Sequence, residues 1–365
     1  MSEGRIRQMY PGGNTPAGFY SYYEYVISPL EARKIFILKG GPGTGKSTIM
    51  KKVGLEFSKK GYEVEFMRCS SDNNSLDGIV IPKLKIAILD GTAPHVVDPV
   101  FPGVVDEIIN LGQFWDEKGL ESFKDQIISV SQQVKGYFNR AYNYLKAASF
   151  LKKDTETIYD NAADKGQLSF FAYELAAEIF KDIQPSKTYG RIRRMFASGI
   201  TPGGFTDNLD SLCSGTKIFR LTAPSGSNTS EIIGYLKKEA LIRGLYTEAF
   251  YCPMAPERVE HLIIPELKVS IITANVYHDI SEPNSSNCTT YDLRQFYDPS
   301  RINEANDELN FNCTNTEILM QQAIRYIAKA KNAHDELERY YIKNMNLADL
   351  NKIQEELLDK ISNYA

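Results

Sequence analysis

The chain repeats itself, and this restricts its fold more than any other feature. Arg7 to Phe19 reads RQMYPGGNTPAGF, and Arg193 to Phe205 reads RRMFASGITPGGF. Farther on, KIFIL at Lys34–Leu38 matches KIFRL at Lys217–Leu221. The spacing from Lys34 to Lys217 then holds without a gap as far as His95 and His278. It pairs Gly61 with Gly244, Cys69 with Cys252, and IPKLK (Ile81–Lys85) with IPELK (Ile264–Lys268). A later block, LGQFWD at Leu111–Asp116, matches LRQFYD at Leu293–Asp298 after the loss of one residue. Similarity at a fixed long period implies one structural unit used twice. The halves meet near Gln184 and Pro185, giving residues 1–185 and 186–365 as the expected domains, a size that suits a chain of 365 residues.

Each half has the same order of patterns. A Gly/Pro loop (TPAGF or TPGGF) comes first, then an apolar run, a helix, two more apolar runs and a long helical tail. In the first half, Lys34–Leu38 is short, β-branched and apolar, which suits a buried strand. Ser47 to Lys60 follows with Ile49, Val53 and Phe57 on one helical face and lysines on the other. Gly61 stops that helix. Tyr62–Met67 and Lys85–Asp90 read as two further strands. Strand, helix, strand at this spacing predicts a βαβ crossover and a parallel sheet, so the fold class is α/β. Helical extensions are expected at about residues 121–183, where FNRAYNYLKAASFLKKD is clearest, and at about residues 315–361.

The loop after the first strand carries the chemistry. Gly40-Gly41-Pro42-Gly43-Thr44-Gly45-Lys46-Ser47 fits GxxxxGK[ST] in full. Glycines let successive backbone N–H groups curve around a phosphate without Cβ clashes. The loop opens a helix, whose unpaired N–H groups and dipole favour an anion. Lys46 reaches the β- and γ-phosphates, and Ser47 offers its hydroxyl to Mg²⁺. Thr48 continues the motif. The strand KIAILD ends in Asp90, where a carboxylate can hold Mg²⁺ beside the loop, the alternative being a cap on the DGTAPH turn.

The repeat also sorts candidates. The second half has Ala223-Pro224-Ser225-Gly226-Ser227-Asn228-Thr229-Ser230 in place of the motif. Lys46 is matched by Thr229, Gly45 by Asn228 and Asp90 by Thr273. Losing cation and carboxylate together leaves one competent site, with the second half a degenerate copy. Asp72, in CSSDNNSLDG, is matched by Ala255 and so occurs only beside the intact motif. It is a candidate to position a water or accept a proton, with turn capping as the alternative. His95, shared with His278, and TPAGF, shared with TPGGF, lean towards scaffold roles. Nothing selects one of Arg220, Arg243 and Arg294 as a finger reaching across the halves, and Tyr20–Tyr25 reads as packing.

A net charge of -4 argues against a broad nucleic-acid surface. No run of about 18 apolar residues suggests a membrane span, and MSEGRIRQMYPGG lacks a signal-peptide core. Five cysteines without a CxxC pair suggest free thiols, and a cytoplasmic location is expected.

On GGNTPAGF, ILKGGPGTGKST, CSSDNNSLDG and ILDGTAPH the chain resembles the P-loop NTPase superfamily. It is similar in particular to a little-characterised family of bacterial ATP-binding proteins with a duplicated P-loop region, found in Firmicutes. The resemblance implies two tandem P-loop NTPase-like domains with parallel sheets, and ATP binding at Gly40 to Thr48. An ATP hydrolase is the leading expectation. A small-molecule or nucleotide kinase, a nucleotide sensor without turnover and, less favoured by charge, a DNA-dependent ATPase stand beside it. A protein partner and self-association are both compatible with the sequence, which specifies neither.

Overall fold

A computed structural model describes residues 3–365 apart from 94, 95, 225 and 228. The first half runs β1 (Ile6–Met9), β2 (Gly12–Thr15), β3 (Gly18–Ser21), β4 (Lys34–Lys39), α1 (Lys46–Lys59) and β5 (Val64–Arg68). It continues with β6 (Leu76–Ile81), β7 (Ile86–Asp90), β8 (Asp106–Asn110), α2 (Glu117–Glu121), α3 (Lys124–Ala162) and α4 (Lys165–Ile179). The second half runs β9 (Ile192–Met195), β10 (Ser198–Thr201), β11 (Gly204–Asp207), α5 (Leu209–Cys213), β12 (Lys217–Thr222) and α6 (Thr229–Ile242). Then come β13 (Thr247–Cys252), β14 (Ala255–Ile264), β15 (Val269–Ala274), β16 (Cys288–Asp292), α7 (Pro299–Glu304), α8 (Asn306–Lys343) and α9 (Leu347–Ser362).

Two six-stranded sheets result, ordered β1-β5-β6-β7-β4-β8 and β9-β13-β14-β15-β12-β16. The strand order is the same in both. The α/β class holds, but the expected all-parallel sheets do not: each sheet is mixed. β6 pairs antiparallel with both β5 and β7, and β14 does the same with β13 and β15. The cause is the length of the connections. Only the 3-10 turn Pro82–Leu84 and Lys85, at φ 57, join β6 to β7. A parallel pair needs a crossover of a dozen or more residues, so so short a link forces a hairpin. Consequently α1 carries the chain from β4 past two strands to β5. Gly61, at φ 86, closes α1 as its position requires.

Side-chain alternation explains the layers. On β4, Phe36 and Leu38 face α1, whereas Ile35 and Ile37 face the other sheet. On β7, Ile86 and Ile88 face α1, and Ala87 and Leu89 face inward. The second sheet does the same: Phe219 and Leu221 of β12 face α6, and Ile218 turns towards the first sheet. Strands apolar on both faces are therefore covered on both, by helices outside and by each other inside.

Four charges lie between the sheets at their β1 and β9 edges. Buried Arg7 donates to Glu65 at 2.9 Å and to both oxygens of Glu248. Buried Arg193 donates to Glu65 at 2.7 and 2.8 Å and to the Tyr25 and Val26 carbonyls. Arg7 and Arg193 occupy matching places in the repeated RQM/RRM segment, and Glu65 and Glu248 match at the Lys34–Lys217 spacing.

The helical tails exchange partners. α3 and α8 run antiparallel, as the aromatic pairs Phe123–Tyr340 at the start of α3 and Tyr144–Tyr326 farther along it show. α4 packs Leu175, Ala176 and Phe180 into the core of the second sheet. α9 packs Leu350, Leu357 and Ile361 into the core of the first. Burying Leu357 and Ile361 is worth about 1.5–3 kcal/mol each. Each half of the sequence thus caps the sheet of the other. Among the described residues no helix is long and apolar enough to cross a membrane.

Candidate functional site

The glycine-rich loop joins β4 to α1. Gly43 and Gly45 have φ of 70° and 76°, a region that residues with a Cβ avoid. Gly45 is the N-cap of α1, and no side chain caps the helix. The first N–H groups of α1 are therefore left for an outside acceptor. Buried Thr44 ties the loop down by donating to the Gly41 carbonyl at 2.9 Å. Pro42 is partly exposed and Thr48 is exposed.

Lys46 starts the helix and folds back over the loop. Its Nζ donates to the Gly40 and Gly41 carbonyls at 2.7 and 2.8 Å and lies 3.7 Å from Asp90 Oδ2. Burial lowers its pKa, and the carboxylates of Asp90, Glu338 and Asp77 oppose that shift. Ser47 Oγ accepts from the Leu76 N–H at 3.0 Å, which leaves its own proton and a lone pair free. Asp90 Oδ1 accepts from the Thr92 N–H at 2.8 Å, and the Thr92 hydroxyl donates to the Gly40 carbonyl at 2.7 Å. Asp90 therefore caps its turn and faces Lys46 at the same time. The β4–β7 pairing, with Leu38 opposite Asp90, accounts for this placement.

Asp72 lies on the loop between β5 and β6. Its oxygens accept from the Asn74 N–H and the Ser75 hydroxyl, both at 2.8 Å, and Lys331 Nζ lies 3.2 Å away. Burial raises its pKa, but these three partners outweigh burial and hold the carboxyl below its ordinary range. His95 lies outside the described residues, as do Ser225 and Asn228 of the second loop. Arg220 pairs with Asp279, Arg243 with Glu239 and Arg294 with Asp292, so the ion pairs of all three arginines lie within the second half.

Two parts of the site are missing from the sequence reading. Asp77, 3% exposed on β6, is next to Gly78, which pairs with Leu89. That register sets Asp77 across from Asp90, on the Lys46 side. The apolar run Leu76–Ile81 around this Asp is the signal that could have found it. The other part is the roof. A Cβ on Gly43 would stand 2.8 Å from Ile342 Cγ1 and 3.1 Å from the Glu338 carbonyl oxygen. A Cβ on Gly41 would meet Trp115 and Tyr341, whose rings lie 5.5 Å apart. Trp115 Nε1 is buried without a hydrogen-bond partner. The glycine-rich loop of the first half is therefore covered by α8 from the second, and Lys331 of α8 reaches Asp72. Sequence periodicity gives a helix its apolar face but does not say which sheet that face will cover.

Comparison of the chain with protein-family profiles, with curated proteins and with solved structures finds no match.

Proposed function

We propose that the chain binds a nucleoside triphosphate, ATP, with Mg²⁺ on Gly40–Thr48, and hydrolyses it slowly or when a partner protein stimulates it. The observation that supports this best is the convergence of an uncapped helix N-terminus, two left-handed glycines and Lys46 beside Asp90. Lys46 is held by loop carbonyls that a phosphate would replace as its partners.

Ser47 and Asp90 would hold the magnesium. Both offer hard oxygen donors, the type this ion takes. Bound there, it would neutralise charge on the phosphate oxygens. In hydrolysis a water oxygen bonds to the γ-phosphorus as the bridging P–O bond breaks, and ADP and phosphate leave. Asp72 is held ionised by its partners, so it suits orienting that water better than taking its proton. The second half, with Thr229 and Thr273 in place of Lys46 and Asp90, is read as unable to bind triphosphate.

Calorimetric titration of ATP-Mg²⁺ into wild type and Lys46→Ala tests the assignment, with free phosphate assayed in the same samples. Binding that is lost in the variant, with phosphate released by the wild type, supports an ATPase. Equal affinity in both removes the site. A phosphorylated acceptor in place of free phosphate would indicate a kinase.

A further inference from the structure

Where the first half has its phosphate loop, the second half has a cavity of about 100 Å³. Its lining includes Ser227, Thr229, Thr273, Glu260 and His278, with Lys152 brought in by α3 from the first half. One water needs about 10–15 Å³ of such space, so a small organic molecule fits. The cavity is not a phosphate cradle. Thr229 and Thr273 hydrogen-bond each other at 2.8 Å where the first half sets Lys46 against Asp90. Glu260 adds a carboxylate that would repel a phosphate.

Glu260 and His261 on β14 and His278 after β15 each bring one nitrogen or oxygen to within 4.8 Å of the others. The two rings stand edge to face with centroids 4.8 Å apart. His261 and His278 are only 1% and 3% exposed. Glu260 Oε2, His261 Nε2 and His278 Nδ1 have no hydrogen-bond partner. Buried polar atoms are rarely left unpaired, so three together at one place call for a partner.

Two histidines and a glutamate would suit zinc by residue type, but the far side of each ring opposes it. A ligating histidine gives its second N–H to an acceptor. Here the Thr273 N–H donates to His261 Nδ1 at 3.3 Å. Asn275 Oδ1 accepts from the Tyr277 N–H, so its Nδ2, a donor, faces His278 Nε2 at 3.4 Å. With its far-side nitrogen accepting, each ring as a neutral tautomer carries its proton on the orphaned nitrogen. Burial, aided by His278, holds His261 neutral. The cluster thus presents N–H donors beside one carboxylate acceptor.

We propose that this cavity binds a small uncharged molecule through an amide-type edge. A carbonyl or ring nitrogen would accept from His278 Nδ1–H, and a neighbouring N–H would donate to Glu260. Primary amides and nucleobases carry such an edge. Phe205 and Met254 supply apolar walls, and Lys152 makes the occupied site depend on both halves. The first half cannot form it, because Asp77 and Gly78 stand where Glu260 and His261 stand.

The test is calorimetric titration of nicotinamide, adenine and cytosine into the full chain at pH 7.5. Benzoate, a ring with an acceptor-only head, and Zn²⁺ are titrated separately. At least one of the three amide-edge probes should bind at least tenfold more tightly than benzoate. Glu260→Leu and His278→Phe should each weaken that probe tenfold or more with the thermal melt retained. If a variant fails to fold, the ratio of probe to benzoate in the wild type decides. No binding by any of the three, benzoate binding as tightly, or Zn²⁺ binding that needs His261 and His278 would each overturn the proposal.

Discussion

Glu248→Gln should destabilise the chain severely although it keeps the shape of the side chain. Glu248 accepts from Arg7 Nη1 at 3.1 Å, from Arg7 Nη2, and from Arg193 Nη1 at 3.4 Å. Removing its charge leaves two buried guanidinium groups with only the Glu65 carboxylate between them. Breaking a buried pair on one side costs about 3–5 kcal/mol. Replacing Arg7 and Glu248 together by Met and Leu keeps the bidentate Arg193–Glu65 pair and its charge balance. That double variant should lose clearly less than the sum of the single losses. The pH dependence has a defined sign. Burial pushes the Glu248 carboxyl up, but Arg7 and Arg193 outweigh it and hold its pKa below 4.5. A depressed folded pKa contributes stability that is full above the ordinary value and is lost as pH falls through the folded one. The gap between wild type and Glu248→Gln should therefore stay constant from pH 7 down to the ordinary carboxylate range and narrow as pH falls below it. Urea unfolding followed by circular dichroism measures both quantities. A loss below about 1 kcal/mol at pH 7, against the 3–5 expected, or a gap that widens with acid, would refute the argument.

Gly43→Ala should cost about 1–2 kcal/mol for its left-handed φ and push against the α8 roof. We expect weaker triphosphate binding and faster amide exchange in Glu338–Ile342, and an unchanged exchange rate there would contradict the packing. Asp72→Asn frees Lys331 from one partner. It should leave ATP affinity within about threefold but slow phosphate release by roughly 10²-fold, at the low end of what such groups contribute. A matching loss of affinity would assign Asp72 to binding. All five cysteines are free, and Cys313 is exposed, whereas burial pushes Cys213 and Cys252 up to about 12. A thiol reagent at pH 7.5 should label Cys313 first, as peptide mapping would show, and labelling of Cys252 at a similar rate would mean that its burial is wrong.

Local chemistry made much of this legible. The glycine-rich turn from β4 into α1 needs only eight adjacent residues, and α1 follows from Ile49, Val53 and Phe57. The strands β4 and β7 stand out because both of their faces are buried and both read as apolar. β6 does not, because Asp77 and Gly78 interrupt LDGIVI and make it look like a loop. Missing that strand made the sheets look wholly parallel and hid the carboxylate opposite Asp90. The four-charge cluster is visible only in outline. Arg7 with Arg193 and Glu65 with Glu248 recur in the sequence, but nothing local says that they meet. Nor does the pattern of α8 reveal that Glu338 lies over the glycine-rich loop and Lys331 beside Asp72, since that depends on how α8 packs against the first half.

The only tryptophan of the chain offers the most direct measurement. The Trp115 ring lies against Gly41 of the glycine-rich loop and 5.5 Å from Tyr341 of the roof. Titrating ATP-Mg²⁺ should change its fluorescence with a saturable curve, and Lys46→Ala should weaken that curve at least tenfold while the emission without nucleotide stays the same. A wild-type signal that does not respond, with calorimetry equally silent, would contradict nucleotide binding at this loop.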